Sequence, residues 1–144
     1  MHQTFTFHIH DKHKEKPVAD ISMATDYDQR YLEIISKIFY KELTDWDCKQ
    51  GYELNKILAE GGQIALYWHK MRLVGAAVYQ LIDNNWKLLH IAFKSKEQGS
   101  GHGKVLLDFV MYKIYEFGGT HLTAQVSNSQ PLVAGKFFKK YEES

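Results

Sequence analysis

The sequence predicts an α/β fold: one mixed sheet, an antiparallel meander joined to a single parallel β-α-β crossover, with helices on both faces. Three observations carry this. Gln63–His69, Leu73–Ile82 and Trp86–Phe93 are consecutive strand-length segments linked by short turns. A glycine-rich loop, Gln98–Gly103, then leads into a helix-length apolar run ending at Gly118-Gly119. A last strand-like segment, His121–Ser127, follows that helix. Strand, helix and strand in this order make a right-handed crossover, so Trp86–Phe93 and His121–Ser127 are expected to be parallel neighbours.

The elements follow in order. Gln3–His10 sets Phe5, Phe7 and Ile9 against Thr4, Thr6, His8 and His10, a half-buried strand pattern. Residues 1–16 read as an extra N-terminal strand and loop on a single domain spanning 1–144. Val18–Ala24 is the next strand, and the short loop before it suggests that the two pair. Thr25 and Asp28 have capping-box spacing. From Tyr27 to Leu43, apolar residues recur at helical intervals. Asp47 is placed to cap a second helix running to about Glu60, which Gly61-Gly62 stops. The small residues Gly75, Ala76 and Ala77 suit close packing against a helix, and Asp83-Asn84-Asn85 has turn chemistry. Helix Lys104–Phe117 completes the crossover.

Composition narrows the function. In 144 residues, 44% are hydrophobic, 24% are charged, and the net charge is +1. That balance gives no general attraction to nucleic acid or membrane. A single cysteine, Cys48, allows no internal disulfide and fits a reducing, cytoplasmic setting. No apolar run reaches membrane-spanning length. His8 and His10 share one strand face near His13, but no carboxylate or thiol completes a ligand shell, so no metal is expected.

The loop carries the chemistry. Gly99, Gly101 and Gly103 alternate ahead of a helix, so backbone N–H groups converge where the helix dipole is positive, a nest for phosphate. A dinucleotide fingerprint would need glycine where Lys104 stands. A Walker loop would need glycine at Gln98 and Ser or Thr at Val105. Neither pattern is met. Gln98-x-x-Gly101-x-Gly103 between strand and helix instead resembles the acyl-CoA pyrophosphate loop of the GNAT superfamily of N-acyltransferases. The resemblance runs from about Val18 to Tyr141, through Ile91-Ala92-Phe93, Asn128, and Ala134 with Phe138-Lys139-Lys140.

The resemblance implies an N-acetyltransferase that moves an acetyl group from acetyl-CoA to a primary amine. The backbone of Ile91 and Phe93 would lie along the pantetheine arm, and Ala92 or Phe93 would polarise the thioester carbonyl. Gln98, Gly99, Ser100, Gly101, His102, Gly103 and Lys104 would hold the pyrophosphate. Asn128 would contact the cofactor or steady the strand end, and Lys104, Lys136 and Lys139 are candidates for the CoA phosphates. The glutamate many relatives use as base falls on Lys87, which leaves His90 as the nearest titratable substitute. Asp45, Trp46 and Asp47 fall where relatives form the acceptor pocket. Trp46, Tyr52 and Tyr67 read either as core or as aromatic pocket walls. Two departures stand out. The family's proton-donating tyrosine falls on Phe138, and the chain given ends at Ser144, ahead of the family's two last strands. An open edge at His121–Ser127 would then invite a homodimer. The alternative function is a degenerate CoA-binding module with little catalysis, acting through a protein partner.

Overall fold

The computed structural model describes residues 2–43, 45–127 and 132–144. Its strands are β1 (His2–His8), β2 (Asp20–Met23), β3 (Gln63–His69), β4 (Arg72–Ile82), β5 (Asn85–Phe93) and β6 (His121–Ser127). Its helices are α1 (Gln29–Glu42), α2 (Tyr52–Ala59), α3 (His102–Glu116) and α4 (Leu132–Glu143). The strands form one mixed sheet in the order β1-β6-β5-β4-β3-β2, with β5 and β6 its parallel pair. The meander and crossover are thus as the sequence predicts.

Alternation along the strands divides the core in two. Tyr67, Tyr79, Leu88, Phe93, Leu122 and Ala124 face α3 and α4. Ile64, Leu66, Ala76, Val78 and Ala92 face α1 and α2. Two-residue turns at Lys70-Met71 and Asp83-Asn84 have positive φ at both positions, the twist that suits right-handed hairpins.

Several expectations change. The N-terminal strand does not pair with Val18–Ala24. It runs antiparallel to β6 from His2↔Ser127 to His8↔His121, at the opposite end of the sheet from β2. Phe5 and Phe7 explain the choice, because on β6 both reach the α3–α4 core, where they are 2% and 3% exposed. The edge expected to be open is therefore covered from within the chain, and the argument for a dimer through it falls away. The strand at Val18–Ala24 is shorter, Asp20–Met23, and lines β3. Gly51, not Asp47, precedes the second helix. Gly75 makes room for a ring, not a helix, since a Cβ there would lie 2.3 Å from Phe93 Cδ1. At the first helix, Asp28 accepts hydrogen bonds from the Thr25 N–H and hydroxyl, and the helix begins at Gln29.

Candidate active site

Among the described residues, strands β5 and β6 pair only at Trp86↔Leu122, Lys87↔Thr123 and Leu88↔Ala124, and then separate. A bulge marks the point of divergence. Leu88 is opposite Tyr79 and His90 opposite Val78, so Leu89 is the extra residue. Leu89 and His90 consequently both turn toward the α1 side, whereas Leu88 and Ile91 pack on the α3 side. Between the parted strands lies a groove of about 660 Å³, lined by Leu88–Phe93, Ala124–Val126, the loop glycines, and Phe137, Phe138 and Tyr141 of α4. That volume is in the range of small-molecule sites.

The loop forms one end of the groove. Gly99 (φ +80°) and Gly101 (φ +87°) are left-handed, a region costly to other residues, and Gly101 caps α3. Among the described residues, the N–H groups of Gly99, Ser100, Gly101, His102, Gly103 and Lys104 make no hydrogen bond. The helix cannot satisfy its own first donors, so these groups are available to an anion. Gly99, Gly101, Gly103 and Lys104 line the groove. Gly103 also lets α4 approach, because a Cβ there would sit 3.1 Å from the Phe137 ring. The Gln98 side chain serves the loop's position: its amide donates to the Phe93 carbonyl and to Glu42, both at 3.0 Å. His102 turns away from the groove toward Tyr67, whose hydroxyl is 2.8 Å from its Nδ1.

Acidic groups gather on the α1 side, where Glu42, Asp45 and His90 line the groove. The His90 ring packs against Trp46 (5.0 Å, edge-on) and Phe39 (5.8 Å). Burial lowers its pKa, partly offset by the charge of Asp45, so the ring is neutral and able to accept a proton near pH 7. Trp46 is buried, and its indole N–H donates to the Cys48 carbonyl, so it walls the core beneath His90. Asp47 is exposed outside the groove lining. Tyr67 is buried, whereas Tyr52 is exposed. Asn128 lies outside the described residues.

Among the described residues, the far wall carries no free hydroxyl. Phe138 packs on Phe5 (5.8 Å) and Phe7 (6.0 Å) while lining the groove. Tyr141 donates to Asp108, and its hydroxyl is 3.2 Å from His13 Nε2. The His10 N–H donates to His13 Nδ1, which places the proton of the neutral ring on Nε2. Burial, then the Asp108 hydrogen bond and charge, push the Tyr141 pKa well above the ordinary phenol value.

The parallel strands of the sheet part around a groove, with a nest of N–H groups at its end. No family model matches this sequence, and no curated protein matches it. Solved structures do. An aminoglycoside acetyltransferase from an uncultured soil metagenomic sample aligns with TM-score 0.71 and 15% identity, covering 85% of this chain and 86% of that one. The ribosomal-protein-alanine N-acetyltransferase of Brucella melitensis biovar Abortus 2308 aligns at 0.70 and 16% identity, covering 85% and 89%. An aminoglycoside 6′-N-acetyltransferase complexed with coenzyme A aligns at 0.62 and 14% identity, covering 69% and 57%. At these identities the likeness is one of fold. The chain has the GNAT fold.

Sequence reasoning missed Glu42, Glu97 and Phe137 as groove residues. Glu42 was visible only as a residue inside the helix expected over Tyr27–Leu43. The positions of Phe137 and Glu97 depend on tertiary packing, which no local signal reports.

Proposed function

We propose that the protein is an acetyl-CoA-dependent N-acetyltransferase acting on a primary amine. The observation that carries this is the parting of β5 and β6 beside six unpartnered N–H groups. The residues fit the cofactor. The N–H groups of Gly99 to Lys104 hold the pyrophosphate, and Lys104 adds positive charge. The outer backbone of Ile91, Ala92 and Phe93, freed where β6 departs, takes the pantetheine arm as an added strand. One N–H of this segment polarises the thioester carbonyl. Asp45 and Glu42 attract a cationic amine to the mouth of the groove, and neutral His90 accepts its proton. The amine nitrogen bonds to the acetyl carbon as the carbon–sulfur bond breaks. The nitrogen sheds its remaining proton and the departing thiolate takes one up, directly or through water, so the products are the N-acetyl amine and the CoA thiol. The acceptor class is supported by the neighbours, which are named for an aminoglycoside and for a ribosomal protein.

A second reading has its own observation. Phe138 has no proton to give and the Tyr141 hydroxyl is committed to Asp108, which favours a CoA-binding module with little catalysis. Two measurements on one preparation separate the readings: calorimetric titration with acetyl-CoA, and thiol release over a panel of amines. Tight binding with amine-dependent release supports the enzyme. Binding without release supports the module. Absence of binding, or binding that survives Gly101→Asp unchanged, overturns both.

A further inference from the structure

We propose that His69, Glu97 and His102 form a zinc site behind the glycine-rich loop. His69 ends β3, Glu97 lies in the single 3₁₀ turn Ser95–Glu97 after β5, and His102 opens α3. One ligand atom from each lies within 4.8 Å of the others. His102 Nε2 is 3.4 Å from Glu97 Oε2, and these side chains are only 15% and 19% exposed. The rings of His69 and His102 are 4.6 Å apart. Tetrahedral zinc holds its ligand atoms about 3.3–3.4 Å from one another. One pair already has that spacing, and His69, at the end of a strand, brings its ligand atom within 4.8 Å of both. Two imidazoles and a carboxylate are a ligand set that zinc accepts, with water in the fourth position.

Tyr67 makes the arrangement workable in both states. A hydroxyl can donate or accept. Without a cation, Tyr67 donates to His102 Nδ1, and Nε2–H points at Glu97. With a cation, the ring takes its other tautomer: Nδ1–H donates to the Tyr67 oxygen, and the Nε2 lone pair faces the metal. Second-shell partners of this kind orient metal-bound histidines. Electrostatics point the same way. Glu97 lines the groove beside a loop whose N–H groups suit an anion, and a bound dication would cancel its charge there. The metal would also tie the β3 end to the loop. Residues 69, 97 and 102 come from three separate elements, so no spacing in the sequence reveals the site.

The test uses the full chain stripped by chelator, and it needs no CoA, so its failure is distinct from failure of the acetyltransferase reading. Cobalt(II) is titrated as a visible probe, and zinc affinity is read by competition with a chromophoric chelator. One equivalent of cobalt should give the intense visible band of a four-coordinate ion, displaced by one equivalent of zinc. His69→Ala, at a strand end, should abolish the band while circular dichroism stays unchanged. Tyr67→Phe should weaken zinc binding about 10- to 100-fold. The triple variant His8→Ala/His10→Ala/His121→Ala, which changes histidines of the other edge, should bind as wild type does. No band in the wild type overturns the proposal and leaves His102 and Glu97 as a polar contact without a metal. A band that survives His69→Ala overturns it as well.

Discussion

Gly101 tests whether the loop's shape is what the site depends on. It caps α3 at φ +87°, and an added Cβ would meet nothing within 4 Å. The cost of Gly101→Ala is therefore torsional and not steric. Left-handed backbone costs an L-residue roughly 1–2 kcal/mol. For a chain of this length that lowers the melting temperature by about 3–8 °C. If the loop instead relaxes to relieve the strain, its N–H groups lose their convergence. The same energy then appears as a loss in CoA affinity of about 5- to 30-fold. Gly101→Asn is the internal control, because asparagine tolerates this region better and should recover part of either loss. Thermal melts and calorimetric titration of both variants give the answer. If both variants melt and bind CoA like wild type, the φ-dependent nest is not what holds the loop, and the reasoning fails.

Three further changes probe other parts of the fold. His90→Gln should lower acyl transfer about 10²–10⁴-fold if His90 is the base. In the wild type, kcat/KM should rise with pH through a midpoint below the ordinary histidine value of about 6.5, because burial lowers the His90 pKa; that limb should vanish in the variant. Phe7→Ala, at a ring 3% exposed between β6 and α4, should cost about 3–5 kcal/mol in chemical denaturation, and a loss below 1 kcal/mol would mean that β1 does not pack as described. Gly75→Ala drives a methyl into the Phe93 ring; overpacking of about 1–3 kcal/mol should appear as a lower denaturation midpoint and weaker CoA binding together.

Much of this fold was legible because local signals agreed. Period-two alternation marked β3, strand-length apolar segments between turns marked β4 and β5, and the glycines marked the loop before α3, so the strand-loop-helix unit at the centre of the site could be read directly. What failed depended on pairing. Nothing in Gln3–His10 says which edge it joins. A strand takes whichever edge gives its buried face the better partner, and Phe5 and Phe7 find theirs on β6. The bulge at Leu89 was equally silent, yet it turns His90 toward Asp45 and Trp46. Gly75 was visible as a small residue, but its neighbour Phe93 belongs to another strand. Local chemistry is written locally, and the partner of each group is not.

Tyr141 separates catalysis from stability. It lies in the groove wall one turn beyond Phe138, so it invites the role of proton donor to the departing thiolate. Its surroundings argue against that. A good donor has a pKa near the working pH, and burial together with Asp108 moves Tyr141 the other way. Burial alone would also raise the Asp108 pKa, but the nearby His13 N–H, 3.6 Å away, and the hydrogen bond from Tyr141 outweigh it, and the carboxyl titrates below its ordinary value. A depressed folded pKa contributes stability above the unfolded value, about 3.9, and that contribution is lost as pH falls through the folded value. Tyr141→Phe removes one donor to this carboxylate. At pH 7 it should cost about 1.5–3 kcal/mol, the usual worth of a hydrogen bond to a charged group. The gap between variant and wild type should narrow below about pH 4, as Asp108 takes up its proton. Acyl transfer, measured well below the melting temperature, should stay within about threefold, because a hydroxyl with a raised pKa gives its proton poorly. Denaturation at pH 7 and pH 3, beside one thiol-release assay, decides the matter. A rate loss of about 10²–10⁴-fold with stability intact would make Tyr141 the acid and Asp108 its positioning partner, the reverse of the roles argued from this geometry.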